Sequence, residues 1–275
     1  MKTLIIGDVK VGHGAPLVLV SGPCVIESEE ITLYTARAIK EIARRLGVGF
    51  IFKSSYDKGN RSSVDYYRGP GLEKGLKILE KVKKEVGVPV ISDIHCRTEI
   101  PAASRVLDIL QIPAYLCQQT DLVVEAAGTG LPLNIKKGQF IAPYDMKKIV
   151  SKAASVGNDK IILTERGTVF GYNNLVCDFR SIPIMREETG CPVLADVTHM
   201  IRMPGPPSKD ASGGQPQFIP TLSYAASAAG VDGLFLEVHP KPREALCDAA
   251  SMLALEKLEE VVRKSLAVSK VVRPS

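Results

Sequence analysis

Four residues far apart in the chain, Cys24, His199, Glu237 and Asp248, carry side chains that could share one divalent cation: a thiolate, an imidazole and two carboxylates. Such a mixed soft and hard set suits Zn²⁺, Fe²⁺ or Mn²⁺ better than Mg²⁺, which prefers oxygen alone. A second set is cationic: Lys53, Lys58, Arg61, Lys136 and Arg166. Lys53 and Lys136 directly follow aliphatic runs, where a solvated lysine has no reason to sit. The segment Lys58-Gly59-Asn60-Arg61-Ser62-Ser63 mixes cations with amide and hydroxyl donors, the mixture that holds phosphate through charge-assisted hydrogen bonds. Cations gathered on one rim repel unless an anion neutralises them, so a ligand with more than one anionic group is expected. Taken singly, each residue also has an ordinary reading. A cysteine after Gly-Pro often packs as a small apolar side chain, and most of the 35 Lys and Arg lie on the surface. The fold must decide.

Eight short aliphatic runs could position these groups: Leu17–Ser21, Val48–Lys53, Val88–Asp93, Asp108–Ile112, Leu131–Lys136, Lys160–Thr164, Pro192–Asp196 and Asp232–Val238. Several are apolar on both faces, as in LVLV and LFLEV, which marks parallel strands covered on both sides. Amphipathic helices lie between them, at Glu29–Leu46 and Gly71–Val86 among others. Strand and helix alternating eight times predict an α/β fold, a single (α/β)8 TIM barrel, over an open doubly wound sheet. The 275 residues suffice for one such domain, 1–275, and little else. Residues 1–15 read as an N-terminal hairpin extension closing the barrel's bottom, and those after Leu255 as a terminal helix. In such barrels chemistry sits on the loops after the strands. Polar residues gather there: Cys24, Lys53 to Ser63, Asp93 and His95, Gln111 to Asp121, Lys136-Lys137, Glu165-Arg166-Gly167, His199, and Glu237 with His239.

Bulk properties exclude other classes. The net charge of +5 is spread over 35 basic and 30 acidic residues, unlike a nucleic-acid-binding arm. Neither a phosphate-binding G-x-x-x-x-G-K-[ST] loop nor a dinucleotide G-x-G-x-x-G is present, so nucleotide cofactors are not expected. The apolar N-terminal stretch is too short for a signal peptide and no run reaches membrane-spanning length, which predicts a cytoplasmic protein. The six cysteines form no C-x-x-C pair; apart from Cys24 they read as small buried hydrophobes. His13 reads as a solvated hairpin residue and His239 as a support for Glu237.

With these residues in view, the chain resembles the 3-deoxy-D-manno-octulosonate 8-phosphate synthases along nearly its whole length. The matching stretches are SGPCVIES (21–28), FKSSYDKGNRSS (52–63), SDIH (92–95), QIPAYLCQQTDL (111–122), NIKKGQF (134–140), LTERGTVFGYNNLVCDFRSIPIM (163–185), DVTH (196–199), SGGQPQFIP (212–220) and DGLFLEVHPKPREALCDAASML (232–253). The resemblance implies condensation of phosphoenolpyruvate with arabinose 5-phosphate, release of phosphate, and a homotetramer. It places the metal ligands on Cys24, His199, Glu237 and Asp248, cysteine at 24 being the mark of metal-dependent members. Phosphoenolpyruvate falls to Lys53, Lys58, Gln111, Lys136 and Arg166, and the pentose phosphate to Asn60, Arg61 and Ser62. Asp93 then lies near the sugar hydroxyls with His95 beside it. There are three departures from the family: Gly59 for alanine, Gln118 for an arginine that reaches a neighbouring subunit, and Met200-Ile201-Arg202 for Ser-Val-Gln. The alternatives are a 3-deoxy-arabino-heptulosonate 7-phosphate synthase using erythrose 4-phosphate, a Schiff-base aldolase working through Lys136, and a non-catalytic phosphosugar-binding barrel.

Overall fold

A computed structural model describes residues 2–203 and 211–273. Its strands are β1 (Thr3–Ile6), β2 (Val9–Gly12), β3 (Val18–Gly22), β4 (Phe50–Lys53), β5 (Val90–Asp93), β6 (Ile109–Ile112), β7 (Leu133–Lys136), β8 (Ile161–Glu165), β9 (Thr168–Val169), β10 (Leu175–Val176), β11 (Val193–Asp196), β12 (Gly233–His239) and a two-residue β13 (Leu253–Ala254) that pairs with the end of β12 outside the barrel. Eight of them, β3 to β8 with β11 and β12, pair in parallel; β12 pairs with both β11 and β3, so the barrel is closed. Around it lie α1 (Glu29–Leu46), α2 (Leu72–Val86), α3 (Ile100–Ala103), α4 (Thr120–Gly128), α5 (Met146–Ala154), α6 (Ser181–Thr189), α7 (Val197–Met200), α8 (Ile219–Ala228) and α9 (Leu255–Val272).

The strands start one or two residues later than the apolar runs do, for a local reason. Pro132 and Pro192 have no N–H to give to a ladder. Asp108 and Asp232 add their side chains to their backbone bonds, accepting from the amides of Val90 (2.9 Å) and Val193 (2.8 Å). Helix α1 has its expected bounds because both ends are chemically marked. Ser28 Oγ accepts from the Ile31 amide, Glu29 and Glu30 face the positive end, and Gly47 terminates the helix at φ 64°.

Two apolar layers result. One lies between helices and barrel. The other fills the barrel, where Val20, Ile51, Ile91, Ile109, Ile162, Leu194 and Phe235 meet Ile6, Val9 and Val11 of the β1–β2 hairpin. The hairpin therefore plugs one end, and chemistry is confined to the other. At that end Gly22 is compelled: a Cβ there would lie 2.0 Å from the Lys53 carbonyl oxygen. Only glycine lets the end of β3 press against β4 and bring Cys24 over Lys53. Among the described residues, no helix is long and apolar enough to cross a membrane.

Candidate active site

A belt of polar side chains, one from each of four neighbouring strands, forms the floor at the open end. Gln111 Nε2 donates to Asp93 Oδ1 (2.6 Å), Asn134 Nδ2 to Gln111 Oε1 (2.7 Å), and Thr164 Oγ1 to Asn134 Oδ1 (2.6 Å). Each group is buried, so its partner offsets the loss of water. Burial pushes the Asp93 carboxyl upward in pKa, but Lys53, Lys58 and Lys136 outweigh it and hold it well below the usual range. The belt thus ends on a fixed anion.

The cations stand around that anion. Lys53 Nζ donates to Glu237 Oε1 (2.9 Å) and the Cys24 carbonyl (3.1 Å) and lies 3.7 Å from Asp93. Lys58 Nζ is 3.9 Å from both Asp93 and Glu237. Burial works against its charge, yet Cys24, Glu237 and Asp93 around it hold the Lys58 pKa well above the ordinary lysine value. Lys136 Nζ meets Asp196 Oδ2 at 2.5 Å and lies 4.1 Å from the centre of the Phe235 ring. Arg166 is different. It is 6% exposed, burial pulls its pKa down, and its Nη1 has no hydrogen-bond partner among the described residues. A buried cation left with an open donor is a site prepared for an anion that the described residues do not supply. Lys58, Asn60, Asp93, His95, Lys136, Arg166 and His199 together line a cavity of about 320 Å³.

A carboxylate and imidazole group adjoins the cavity. His199 opens from α7, where Asp196 Oδ1 caps the helix by accepting from the His199 amide (3.1 Å). Asp196 Oδ2 lies 2.7 Å from His199 Nδ1. With that nitrogen facing a carboxylate, Nε2 is turned to Glu237 Oε2 and Asp248 Oδ2, each 3.9 Å away. Burial lowers the His199 pKa, favouring the neutral imidazole that a metal needs. Asp248 Oδ2 is also 3.7 Å from Cys24 Sγ. Two atoms bound to one ion cannot lie farther apart than two bonds, about 4.6 Å at most; all three separations pass. The donors form two overlapping groups, His199-Glu237-Asp248 and Cys24-Cys247-Asp248, joined at Asp248. Burial, then Cys247, pushes the Cys24 thiol well up, and coordination would reverse this by demanding the thiolate. Each of the two groups therefore fits a divalent cation, while the four expected ligands do not all lie within 4.8 Å of one another. Asp248 adopts φ 49°, a left-handed backbone that costs a non-glycine residue about 1–2 kcal/mol.

Of the residues expected from sequence, Cys24, Lys53, Lys58, Asp93, His95, Gln111, Lys136, Arg166, His199, Glu237 and Asp248 converge on this end. Arg61 turns away from the cavity, with Nη1 3.4 Å from Asp248 Oδ1. Ser62 is exposed and Asn60 stands at the mouth. His239 faces Glu27 (3.6 Å), whose other oxygen accepts from the Leu246 amide (2.9 Å), so it braces the loop that ends in Asp248. Lys137 is spent on loop carbonyls. The uniform reading of the other cysteines is corrected: Cys117, Cys191 and Cys247 are buried, Cys177 is partly exposed and Cys96 is exposed. Cys96 sits in the turn after β5, where no helix covers it. Asp196 and Asn134 were passed over, although both lie at strand ends beside assigned residues. Arg202 reaches Asp248 Oδ2 at 3.0 Å, so it and a bound cation compete for that oxygen.

Residues 2–273 match the family described as the DAHP synthetase I family. The chain is 54% identical to the 2-dehydro-3-deoxyphosphooctonate aldolase of Syntrophotalea carbinolica over 98% of its own length and 97% of the relative's. Identity to the protein of the same name from Desulfatibacillum aliphaticivorans is 55%, covering 98% of each chain. For that from Trichlorobacter lovleyi it is 54%, covering 99% of each. With the closed barrel, the plugged lower end and the cation-lined cavity in place, the chain belongs to the DAHP synthetase I family and, within it, to the 2-dehydro-3-deoxyphosphooctonate aldolases.

Proposed function

We propose that this chain joins phosphoenolpyruvate to D-arabinose 5-phosphate and water, giving 3-deoxy-D-manno-octulosonate 8-phosphate and phosphate, a step toward the sugar of lipopolysaccharide. The observation that carries this is the buried Arg166 with its open Nη1, facing Lys58 and Lys136 across one cavity. The relatives' names favour the eight-carbon product over the seven-carbon alternative. The Schiff-base reading loses support because Lys136 is held by Asp196 at 2.5 Å.

In the reaction the enol carbon of phosphoenolpyruvate bonds to the aldehyde carbon, water adds to the neighbouring carbon, and the resulting hemiketal phosphate expels phosphate. Lys136, Arg166 and Lys58 hold the phosphate and carboxylate so that the two carbons meet, and they receive the charge that moves onto the leaving phosphate. Lys53 fixes Glu237 behind them. Gln111 anchors Asp93 by its side-chain amide, leaving Asp93 to orient the sugar hydroxyls, with His95 placed to hand over a proton. Asn60 and Ser62 take the distal phosphate at the mouth, and Arg61, which lies against Asp248, must swing outward to join them. Cys24, His199, Glu237 and Asp248 would hold Zn²⁺, Fe²⁺ or Mn²⁺. The chemistry such an ion supplies when bound is polarisation of an aldehyde oxygen or orientation of a water.

Residues 1–275 act as one catalytic domain in this reading, in the cytoplasm, where phosphorylated substrates are held. Assembly is a homotetramer: exposed Phe140, Phe170 and Val176 line one groove at the β9–β10 hairpin, an apolar surface suited to a second copy. Phosphate release with arabinose 5-phosphate and with erythrose 4-phosphate, before and after chelation and with each ion restored, tests the proposal. Faster turnover of the four-carbon sugar would reject the product assigned, and full activity after thorough chelation would reject the ion.

A further inference from the structure

The metal-ligand reading leaves one close neighbour without a role. Cys247 Sγ lies 3.0 Å from Cys24 Sγ, and its residue belongs with Cys24 and Asp248 to a group of ligand atoms all within 4.8 Å of one another. Both sulfurs are 1% exposed. Arg61 Nη1 lies 3.0 Å from the Cys247 sulfur, a guanidinium in direct contact with it. The rest of the loop is arranged to keep Cys247 there: Glu27 holds the Leu246 amide, and Asp248 turns through its left-handed backbone immediately after. As a structural residue Cys247 would need none of this.

We propose that Cys247 is a second sulfur ligand, so that the cation site has a two-thiolate side (Cys24, Cys247) and an imidazole-carboxylate side (His199, Glu237) hinged on Asp248. This rests on the metal-site reading and extends it. Two thiolates on one ion, at bonds of about 2.3 Å and angles of about 90–120°, stand about 3.3–4.0 Å apart, so the sulfurs need separate by no more than about an ångström, within reach of small side-chain rotations. Each thiol gives up its proton on binding. Two sulfurs shift preference toward thiophilic divalent ions such as Zn²⁺ and Cd²⁺, and away from oxygen-seeking Mn²⁺.

The test is to load the whole purified protein with Co²⁺ and read the sulfur-to-cobalt charge-transfer band in the near ultraviolet. The parent should show the intensity of a two-thiolate complex. Cys247→Ser should show about half of it and Cys24→Ser about half, and the double variant none. Cd²⁺ affinity should fall in Cys247→Ser by no less than the 10–100-fold that loss of an outer-shell partner costs, with Mn²⁺ affinity changing far less. A parent band of one-thiolate strength, or a band intact in Cys247→Ser but absent in Cys24→Ser, overturns the proposal and leaves the four-ligand site standing. Failure of the parent to bind Co²⁺ at all overturns both. The parent band needs no variant, so a substitution that fails to fold does not shield the idea.

Discussion

Arg166→Met separates a residue that serves a ligand from one that serves the fold. The guanidinium is 6% exposed, its Nη1 has no acceptor among the described residues, and burial holds it below the ordinary arginine range. A base whose folded pKa is depressed is a cation that costs stability at neutral pH, so removing the charge should cost the fold little. At about 2.1 cal/mol/K per residue, the 275 residues give an unfolding entropy of about 0.6 kcal/mol/K, so 1 kcal/mol corresponds to about 2 °C. The melting temperature without ligand should therefore change by no more than about 2 °C, or rise. Activity should behave otherwise. Two charge-assisted hydrogen bonds to phosphate at about 1.5–3 kcal/mol each amount to about 3–6 kcal/mol, or about 10²- to 10⁴-fold in kcat/KM. Thermal melts with and without inorganic phosphate, beside phosphate-release kinetics, read both. A ligand-free drop above about 6 °C would mean Arg166 already has a structural partner. Retention of more than a tenth of parental activity would remove it from the anion site.

Further outcomes follow from the same geometry. Asp93→Asn removes a carboxylate whose pKa is depressed by Lys53, Lys58 and Lys136. Its stability deficit should be full at neutral pH and shrink only as pH falls below the ordinary value of 3.8; urea unfolding at about pH 7 and about pH 2.5 tests this, and an equal deficit at both would refute the ionic account. In Gly59→Ala the new Cβ would sit 2.9 Å from His95 Cδ2. The imidazole must give by a few tenths of an ångström, so kcat/KM for the sugar should fall, by under about tenfold, with stability changed by less than about 1 kcal/mol; unchanged kinetics would show that His95 is not held at this wall. Thr98 Oγ1 donates to the exposed Cys96 sulfur (3.3 Å) and lowers its pKa, whereas burial pushes Cys177 up to about 12. A thiol reagent at pH 8 should label Cys96 first, and more slowly in Thr98→Val; mass mapping that finds Cys177 labelled first would contradict both assignments.

Much of the scaffold was legible because it follows from local chemistry. Runs apolar on both faces, such as LFLEV, cannot be half-solvated strands, and Ser28 with Gly47 marks the two ends of α1 whatever it packs against. Even the rim was within reach, since a lysine directly after a buried strand, as at Lys53 and Lys136, must find an anion or cost stability. Contacts between distant loops were not. Nothing in the spacing of 24 and 247 brings two sulfurs to 3.0 Å; barrel closure through β3 and β12, with Glu27 tethering the intervening loop, does that. The same holds for Arg61, expected at a sugar phosphate yet lying against Asp248, and for Gly59, whose missing methyl makes room for His95. The amino-acid order fixes periodicity, caps and turns because those depend on neighbours a few residues away. Which of the rim's side chains share one oxygen of Asp248 depends on distances across the barrel mouth, and only the closed sheet determines those.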